Sequence, residues 1–144
     1  MKDLKDVLSE APALRDLAFE ELIALGAALE DERFEEGEEL FRRGDEASQL
    51  LFIADGSIRV ERDGAALGKL SAGDVIGAVA LNTIGERECD AIAEGPARVL
   101  SLSRESYLRL RGDFPTVALA LQEGLIREMA GNIRAAVAQG TVDA

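Results

Sequence analysis

After Asp31 the chain breaks into short segments that alternate apolar and polar residues and are separated by glycine-containing turns. Two Asp-Gly pairs, at 55–56 and 63–64, each lie between two such segments and are strong hairpin signals. Several short strands at this spacing predict an antiparallel sandwich or jelly-roll-like β-roll. The predicted strands are E-R-F-E-E (32–36), E-L-F-R-R (39–43), Q-L-L-F-I-A (49–54), S-I-R-V-E-R (57–62), A-L-G-K-L (66–70) and A-R-V-L-S-L (97–102).

Helical patterns flank the predicted roll. Residues 1–30 show apolar spacings of three and four with a break at Pro12, and the stronger helix covers 18–29. After the last strand, Ser103 begins a helix over 103–111, and Pro115 suits the first turn of a second helix that runs to about residue 139. The 144 residues therefore predict one domain, with N-terminal helices over 1–30, a roll over 31–102 and C-terminal helices over 103–139.

Two stripes on the last predicted helix leave its packing open. One is spaced by four residues, and the other consists of small residues spaced by seven. The first interpretation is that both stripes pack on this domain's own roll. The second is a homodimer contact through 114–139. The stripe spaced by four consists of Leu121, Leu125, Met129, Ile133 and Val137, and the stripe of small residues consists of Gly124, Gly131 and Ala138.

Composition excludes several classes of function. The net charge is −12, and the stretch from Glu30 to Glu46 contains nine carboxylates and three arginines. This negative charge opposes nucleic-acid binding. The chain has no histidine, so histidine-based triads and metal sites are excluded, and Cys89 is its only cysteine. Neither a signal peptide nor a membrane span is predicted. We therefore expect a cytoplasmic, non-enzymatic protein without a metal or cofactor and with no nucleic-acid or membrane partner.

The stretch 73–93 combines a glycine-punctuated apolar turn with a charged cluster, Glu86-Arg87-Glu88. A short helical turn that begins at Gly77 presents backbone N–H groups, and Arg87 adds a guanidinium. This is one arrangement that binds a phosphate. We call residues 73–93 the cassette.

The order of these elements resembles the cyclic nucleotide-binding domain family. The resemblance covers about 14–137, and its last two motifs are G-D-V-I-G (73–77) and Arg87. It implies a β-roll fold with a long C-terminal helix and a cyclic nucleotide or other small ligand. The earlier motifs that carry it are Gly37, Gly44-Asp45 and F-I-A-D-G-S-I-R-V (52–60).

The resemblance also implies roles for single residues. Gly77, Val79, Ala80, Leu81 and Arg87 match the family's phosphate-binding pattern, in which the arginine pairs with the cyclic phosphate. The resemblance further places Asn132 near the family's base-contacting residues, where an amide is able to hydrogen-bond a purine. An exposed or helix-capping asparagine is the alternative interpretation.

The cassette departs from that pattern at three positions. Ala78 stands where the family has a glutamate that grips the ribose 2′-hydroxyl, Glu86 replaces a proline, and Glu88 replaces a small or hydroxyl residue. If Glu88 points inward, it repels the ligand's phosphate, and both glutamates offer Arg87 an internal partner. If residues 88–94 form a strand, one of its faces points inward. That face carries either Glu88 and Asp90 or Cys89 and Ala91, and the sequence leaves the choice open.

Two functional hypotheses follow. The first is a non-catalytic ligand-sensing regulatory domain with an impaired or altered pocket. Its candidate ligand-binding residues are Gly77, Ala78, Val79, Leu81, Arg87, Glu88, Cys89 and Asn132. The second is a degenerate domain that binds no nucleotide and serves dimerisation or protein docking. Because no helix-turn-helix segment follows the last helix in these 144 residues, direct DNA binding is not expected. Cys89 is expected to be a small, partly buried residue whose thiolate Glu88 and Asp90 disfavour.

Overall fold

The protein is described by a computed structural model that covers residues 4–138 and Gly140. It contains two four-stranded antiparallel sheets between helices at both ends of the chain. The helices are α1 (Leu4–Ser9), α2 (Phe19–Ala27), α3 (Arg104–Asp113) and α4 (Pro115–Ala138), with short 3-10 turns at Pro12–Leu14 and Ala78–Leu81. The strands are β1 (Glu30–Phe34), β2 (Glu39–Phe41), β3 (Gln49–Asp55), β4 (Ser57–Arg62), β5 (Ala65–Ser71), β6 (Val75–Ile76), β7 (Asp90–Ala93) and β8 (Ala97–Ser103).

The predicted β-roll with flanking helices is confirmed, with shifts at the strand ends. The first strand begins two residues earlier than the pattern indicated, and the second ends at Phe41. Two short strands, β6 and β7, lie inside the cassette. The strand β7 falls within the stretch 88–94 that was considered as a strand, whereas β6 was not predicted, and with only two residues it is hard to recognise.

The two Asp-Gly pairs make different turns, which corrects the expectation of two hairpins. Asp63 and Gly64 both have positive φ and join β4 to its direct neighbour β5, as in a two-residue hairpin. Gly56 instead joins β3 in one sheet to β4 in the other. A Cβ on Gly56 would lie 2.5 Å from the carbonyl oxygen of Pro96, so this crossing between sheets depends on glycine.

One sheet has the order β1-β8-β3-β6 and the other β2-β7-β4-β5. The first sheet is covered on both faces, which explains why five consecutive residues of β3 are buried. On one face, Leu50, Phe52 and Leu100 pack with α1, α2 and α4. On the other, residues such as Ile53 and Ile58 fill the space between the sheets.

The long helix α4 has two environments. Leu121 and Leu125 are buried, and a Cβ on Gly124 would lie 1.7 Å from the carbonyl oxygen of Ala13, so this half packs directly on the N-terminal segment. Ile133 is 60% exposed, and Gly131 has open space beside it. The interpretation of packing within the domain is therefore correct for the first half of both stripes and wrong for the second.

Candidate functional site

Arg87 is the most deeply buried charged residue at the site. Only 8% of its surface is exposed, and a pair of backbone hydrogen bonds holds its main chain against the Gly44-Asp45 turn. Its N–H donates to the Asp45 carbonyl at 2.7 Å, and its own carbonyl accepts from the N–H of Gly44 at 2.9 Å. The second glycine turn of the sequence therefore positions the arginine, a role that the sequence pattern did not reveal.

The Arg87 guanidinium has two direct partners in the described part of the chain. Its Nη2 donates to the carbonyl oxygen of Gln49 at 2.8 Å, and its Cζ lies 4.4 Å from the ring centroid of Phe41. It forms no ion pair with a described carboxylate. Burial lowers the pKa of Arg87, while Cys89 and Asp45 act in the opposite direction. Arg87 thus keeps N–H donors that remain available to an anion.

Gly77 lies directly above this guanidinium. Its φ is 79°, in the left-handed region, and a Cβ there would be 2.5 Å from Arg87 Nη1 and 2.9 Å from the Gln49 carbonyl oxygen. Only glycine combines this backbone conformation with so close an approach. The turn Ala78–Leu81 begins immediately after it.

The flanking acids point away from the arginine. Glu86 and Glu88 are both exposed, and neither pairs with Arg87 among the described residues. Cys89 and the fully buried Ala91 face inward, which decides the face that the sequence left open. Burial raises the pKa of the Cys89 thiol, with Asp90 adding to the effect and Arg87 opposing it.

Three cavities surround the cassette. A cavity of about 520 Å³ lies over the edges of β5 and β6 and is lined by Gly77 and Cys89, among others. A second, of about 170 Å³, lies beside Arg87, Phe41 and Gln49. A third, of about 190 Å³, separates the cassette from α4, and we call it the α4 cavity. It is lined by Leu70, Asp74, Val75, Ala78, Leu125, Glu128, Met129 and Asn132.

The predicted site residues therefore divide into groups. Gly77 and Cys89 line the first cavity, Arg87 lines the second, and Ala78 and Asn132 both line the third. Leu81 is 4% exposed and belongs to the core under the helices, so it anchors the turn rather than lining a cavity. Val79, at 54% exposed, and Glu88 lie on the outer surface.

Arg104, at the start of α3, was not singled out by the sequence reasoning. Its guanidinium donates to three carbonyl oxygens, those of Ala80 (2.8 Å), Thr83 (2.7 Å) and Ala47 (3.1 Å). Arg104 thus links α3 to the cassette, and a reciprocal amide pair, Asn82 with Gln122 at 3.0 and 3.1 Å, links the cassette to α4. No sequence signal distinguishes Arg104 from a surface arginine, because its partners are all backbone atoms.

Other classes of site find no support in the described residues. No helix there is long and apolar enough to cross a membrane, and no group of three or more candidate side chains is placed to hold a metal ion.

The fold is that of a β-roll domain whose cassette contains a buried arginine. The family model for the cyclic nucleotide-binding domain matches residues 31–113, more than half of the chain. This chain belongs to the cyclic nucleotide-binding domain family.

Known proteins with a similar sequence or structure agree with this assignment. The cAMP-dependent protein kinase regulatory subunit of Debaryomyces hansenii is 32% identical over 109 residues, which are 75% of this chain and 24% of the relative. The cyclic AMP receptor protein of Thermus thermophilus is 30% identical over 124 residues, 83% of this chain and 57% of the relative. The N-terminal domain of a transcriptional regulator from Streptomyces coelicolor superposes with a TM-score of 0.79 at 25% identity, covering 90% of this chain and 94% of that one. This chain thus spans between a quarter and somewhat over half of the two relatives' lengths.

Proposed function

We propose that this chain is a non-catalytic regulatory domain that senses a cyclic nucleotide through Arg87, with a weakened contact to the ligand's sugar. The observation that carries the proposal is a buried guanidinium without a carboxylate partner among the described residues, directly below the left-handed Gly77. A desolvated guanidinium with free donors is a strong partner for a phosphate, because charge-assisted and bidentate hydrogen bonds are the strongest of their kind. The regulatory subunit and the receptor protein named above support cAMP as the ligand to test first, and cGMP is the cyclic nucleotide to compare with it.

The predicted weakness lies at Ala78. A methyl group accepts no hydrogen bond, so a ligand hydroxyl at this position lacks the acid that the family resemblance implies. The loss of a hydrogen bond to a charged group costs about 1.5–3 kcal/mol, or roughly ten- to a hundredfold in affinity. Glu88 is exposed, so its repulsion of a bound phosphate is screened by solvent, and we expect it to contribute less.

Calorimetric titration with cAMP and with cGMP tests the proposal. We expect the wild-type chain to bind weakly, within the range that ligand concentrations up to about millimolar can follow. The Ala78→Glu variant should bind about ten- to a hundredfold more tightly, because the new carboxylate restores an acceptor for the sugar. Glu88→Ser should add a smaller gain, and Glu86→Ser, which removes an equally exposed charge, is the matched control.

Two results would contradict the proposal. The first is the absence of both heat and a thermal shift with either nucleotide, for the wild type and for Ala78→Glu alike. The second is an affinity that stays the same when Arg87 is replaced by Gln, since the arginine is the proposed phosphate partner.

The second candidate function is dimerisation, and a different observation favours it. Leu119, Ile126 and Ile133 are spaced by seven residues on α4 and are 59%, 58% and 60% exposed. An apolar seam with this period suits pairing with the same helix of a second copy, because a seven-residue repeat keeps one face toward a partner helix. This seam shares only Ile133 with the two stripes that the sequence suggested.

Sedimentation equilibrium of Ile126→Glu tests the pairing. If α4 pairs with itself, the wild type should sediment as a dimer and the variant as a monomer. Leu108→Glu, at an exposed leucine on α3, is the matched control and should leave the dimer intact. A wild type that remains monomeric at micromolar to millimolar concentration would contradict the dimer hypothesis and leave the ligand proposal unaffected.

A further inference from the structure

The α4 cavity contains a carboxylate that no contact in the described structure explains. Glu128 is half-buried at its wall, and it has neither a hydrogen-bond nor an ion-pair partner among the described residues. Asp74, the other acid of the lining, belongs to the cassette, and its Oδ2 accepts from the backbone N–H of Ser71 at 2.8 Å and closes a turn. Glu128 is therefore the carboxylate of this lining that has no partner among the described residues.

The position of this cavity indicates which part of a ligand would reach it. Ala78 lines it and directly follows Gly77, which lies over the Arg87 guanidinium. The α4 cavity also shares Leu70 and Val75 with the 520 Å³ cavity that Gly77 lines, so the two lie side by side. In a nucleotide the group bonded to the phosphate is the sugar. A phosphate held by Arg87 thus brings sugar hydroxyls to the cassette wall of the α4 cavity.

Ala78 offers no polar side-chain atom on the cassette side of this cavity. Glu128 comes from α4, on the opposite wall, and Asn132 lies one helical turn further along the same wall. Ionised carboxylates accept strong hydrogen bonds from hydroxyl groups, and Asn132 adds one acceptor and two donors. The cavity between the two walls has a volume of about 190 Å³, which leaves room for one edge of a sugar.

We propose that Glu128 is a ligand-binding residue that accepts a hydrogen bond from a sugar hydroxyl of the bound nucleotide. It supplies from α4 the carboxylate that Ala78 does not provide from the cassette. This inference rests on the proposed function, because it requires a phosphate at Arg87. It makes α4 part of the binding site and specifies a ribose rather than a deoxyribose ligand.

Titrations with cAMP and with 2′-deoxy-cAMP test the role of Glu128. The wild type should bind cAMP about tenfold more tightly than the deoxy compound, since only the former offers the hydroxyl. Glu128→Ala should bind the two compounds with nearly equal affinity. Glu123→Ala removes a similar charge from an exposed position on the same helix, so it is the matched control and should keep the wild-type ratio. The double variant Ala78→Glu with Glu128→Ala should regain a preference for cAMP.

The possible failures are distinguishable. A wild type that binds both compounds equally, or a Glu128→Ala variant that keeps the wild-type ratio, overturns the role of Glu128 and leaves the proposed function standing. A wild type that binds neither compound overturns the role of Glu128, and it overturns the proposed function as well if Ala78→Glu also binds neither. Thermal melting of each variant identifies any that does not fold, and Glu128→Gln then replaces Glu128→Ala in the same ratio measurement.

Discussion

Two arginines flank the short turn Ala78–Leu81, and they are used in opposite ways. Arg104 donates through Nε and Nη2 to the carbonyls of Ala47, Ala80 and Thr83, so it ties three backbone segments together. Arg87 donates to one carbonyl and keeps its remaining donors, although it is buried. A guanidinium with several backbone partners acts as a structural link, whereas a buried one with a single carbonyl partner is the better candidate for pairing with an anion.

The largest effect that separates the two arginines should be on ligand affinity. Arg87→Gln should weaken cAMP binding about a hundredfold, because the charged partner of the phosphate is lost. Arg104→Gln should weaken it by less than about tenfold, because that side chain acts only through the turn. Calorimetry in the Ala78→Glu background measures both, since the tighter binding expected there leaves room for a large loss. Equal losses of cAMP affinity for the two variants would show that the two arginines do not differ in ligand binding.

A substitution at Gly77 is a second way to perturb Arg87 without changing the contacts of Arg104. Gly77→Ala places a methyl 2.5 Å from Arg87 Nη1 at a φ of 79°. The strain should lower the free energy of unfolding by about 2–3 kcal/mol and also displace the guanidinium. Gly85→Ala, where a Cβ meets nothing within 4 Å, is the control and should change stability little. Urea denaturation of the two variants checks this, and equal stabilities would show that the Gly77 turn tolerates a side chain.

The stability ranking of the arginine variants should be the reverse of their affinity ranking. Arg104→Gln leaves up to three carbonyls without their donor and should cost about 1–2 kcal/mol. Arg87→Gln loses one carbonyl contact and the Phe41 stacking, but it also removes a buried charge, so it should cost less than about 1 kcal/mol. Chemical denaturation in the absence of ligand measures both. A larger loss for Arg87→Gln would indicate that this arginine is structural.

The smallest effect concerns the thiol of Cys89. Burial raises the pKa of Cys89 and Arg87 opposes the rise, so removing the Arg87 charge should raise that pKa further. A higher pKa means less thiolate at pH 8 and slower alkylation. Iodoacetamide should therefore modify Arg87→Gln more slowly than the wild type, and Arg104→Gln at the wild-type rate. A faster reaction in Arg87→Gln would show that the substitution exposes the thiol.

Local patterns were sufficient for some features because short-range chemistry decides them. The Asp63-Gly64 hairpin follows from two residues that tolerate positive φ, and the start of α3 follows from Ser103, whose hydroxyl accepts from the N–H of Ser106. The same reasoning failed at Asp55-Gly56. There the chain passes to the other sheet, close to Pro96, which is forty residues away in the sequence.

The candidate site likewise has some features that the sequence indicates and others that only the structure shows. The sequence is enough to indicate that Gly77 and Arg87 belong together, because their spacing matches a known family pattern. It does not indicate the direction of Glu88, which depends on which face of the chain beside β7 the neighbouring strands cover. It also gives no sign of Arg104, whose partners are backbone carbonyls that any residue carries.

The sequence by itself determined the β-roll, the Asp63-Gly64 hairpin and the cassette, since alternation, glycine positions and a single arginine are local or family-wide signals. Only the tertiary structure decided that Arg87 lacks a carboxylate partner among the described residues, and that Glu128 faces Ala78 across a cavity. The physical reason is that burial and charge pairing depend on distances between residues far apart in the chain. Arg87 and Gln49, and likewise Ala78 and Glu128, are brought together only when the sheets and α4 close around the cassette.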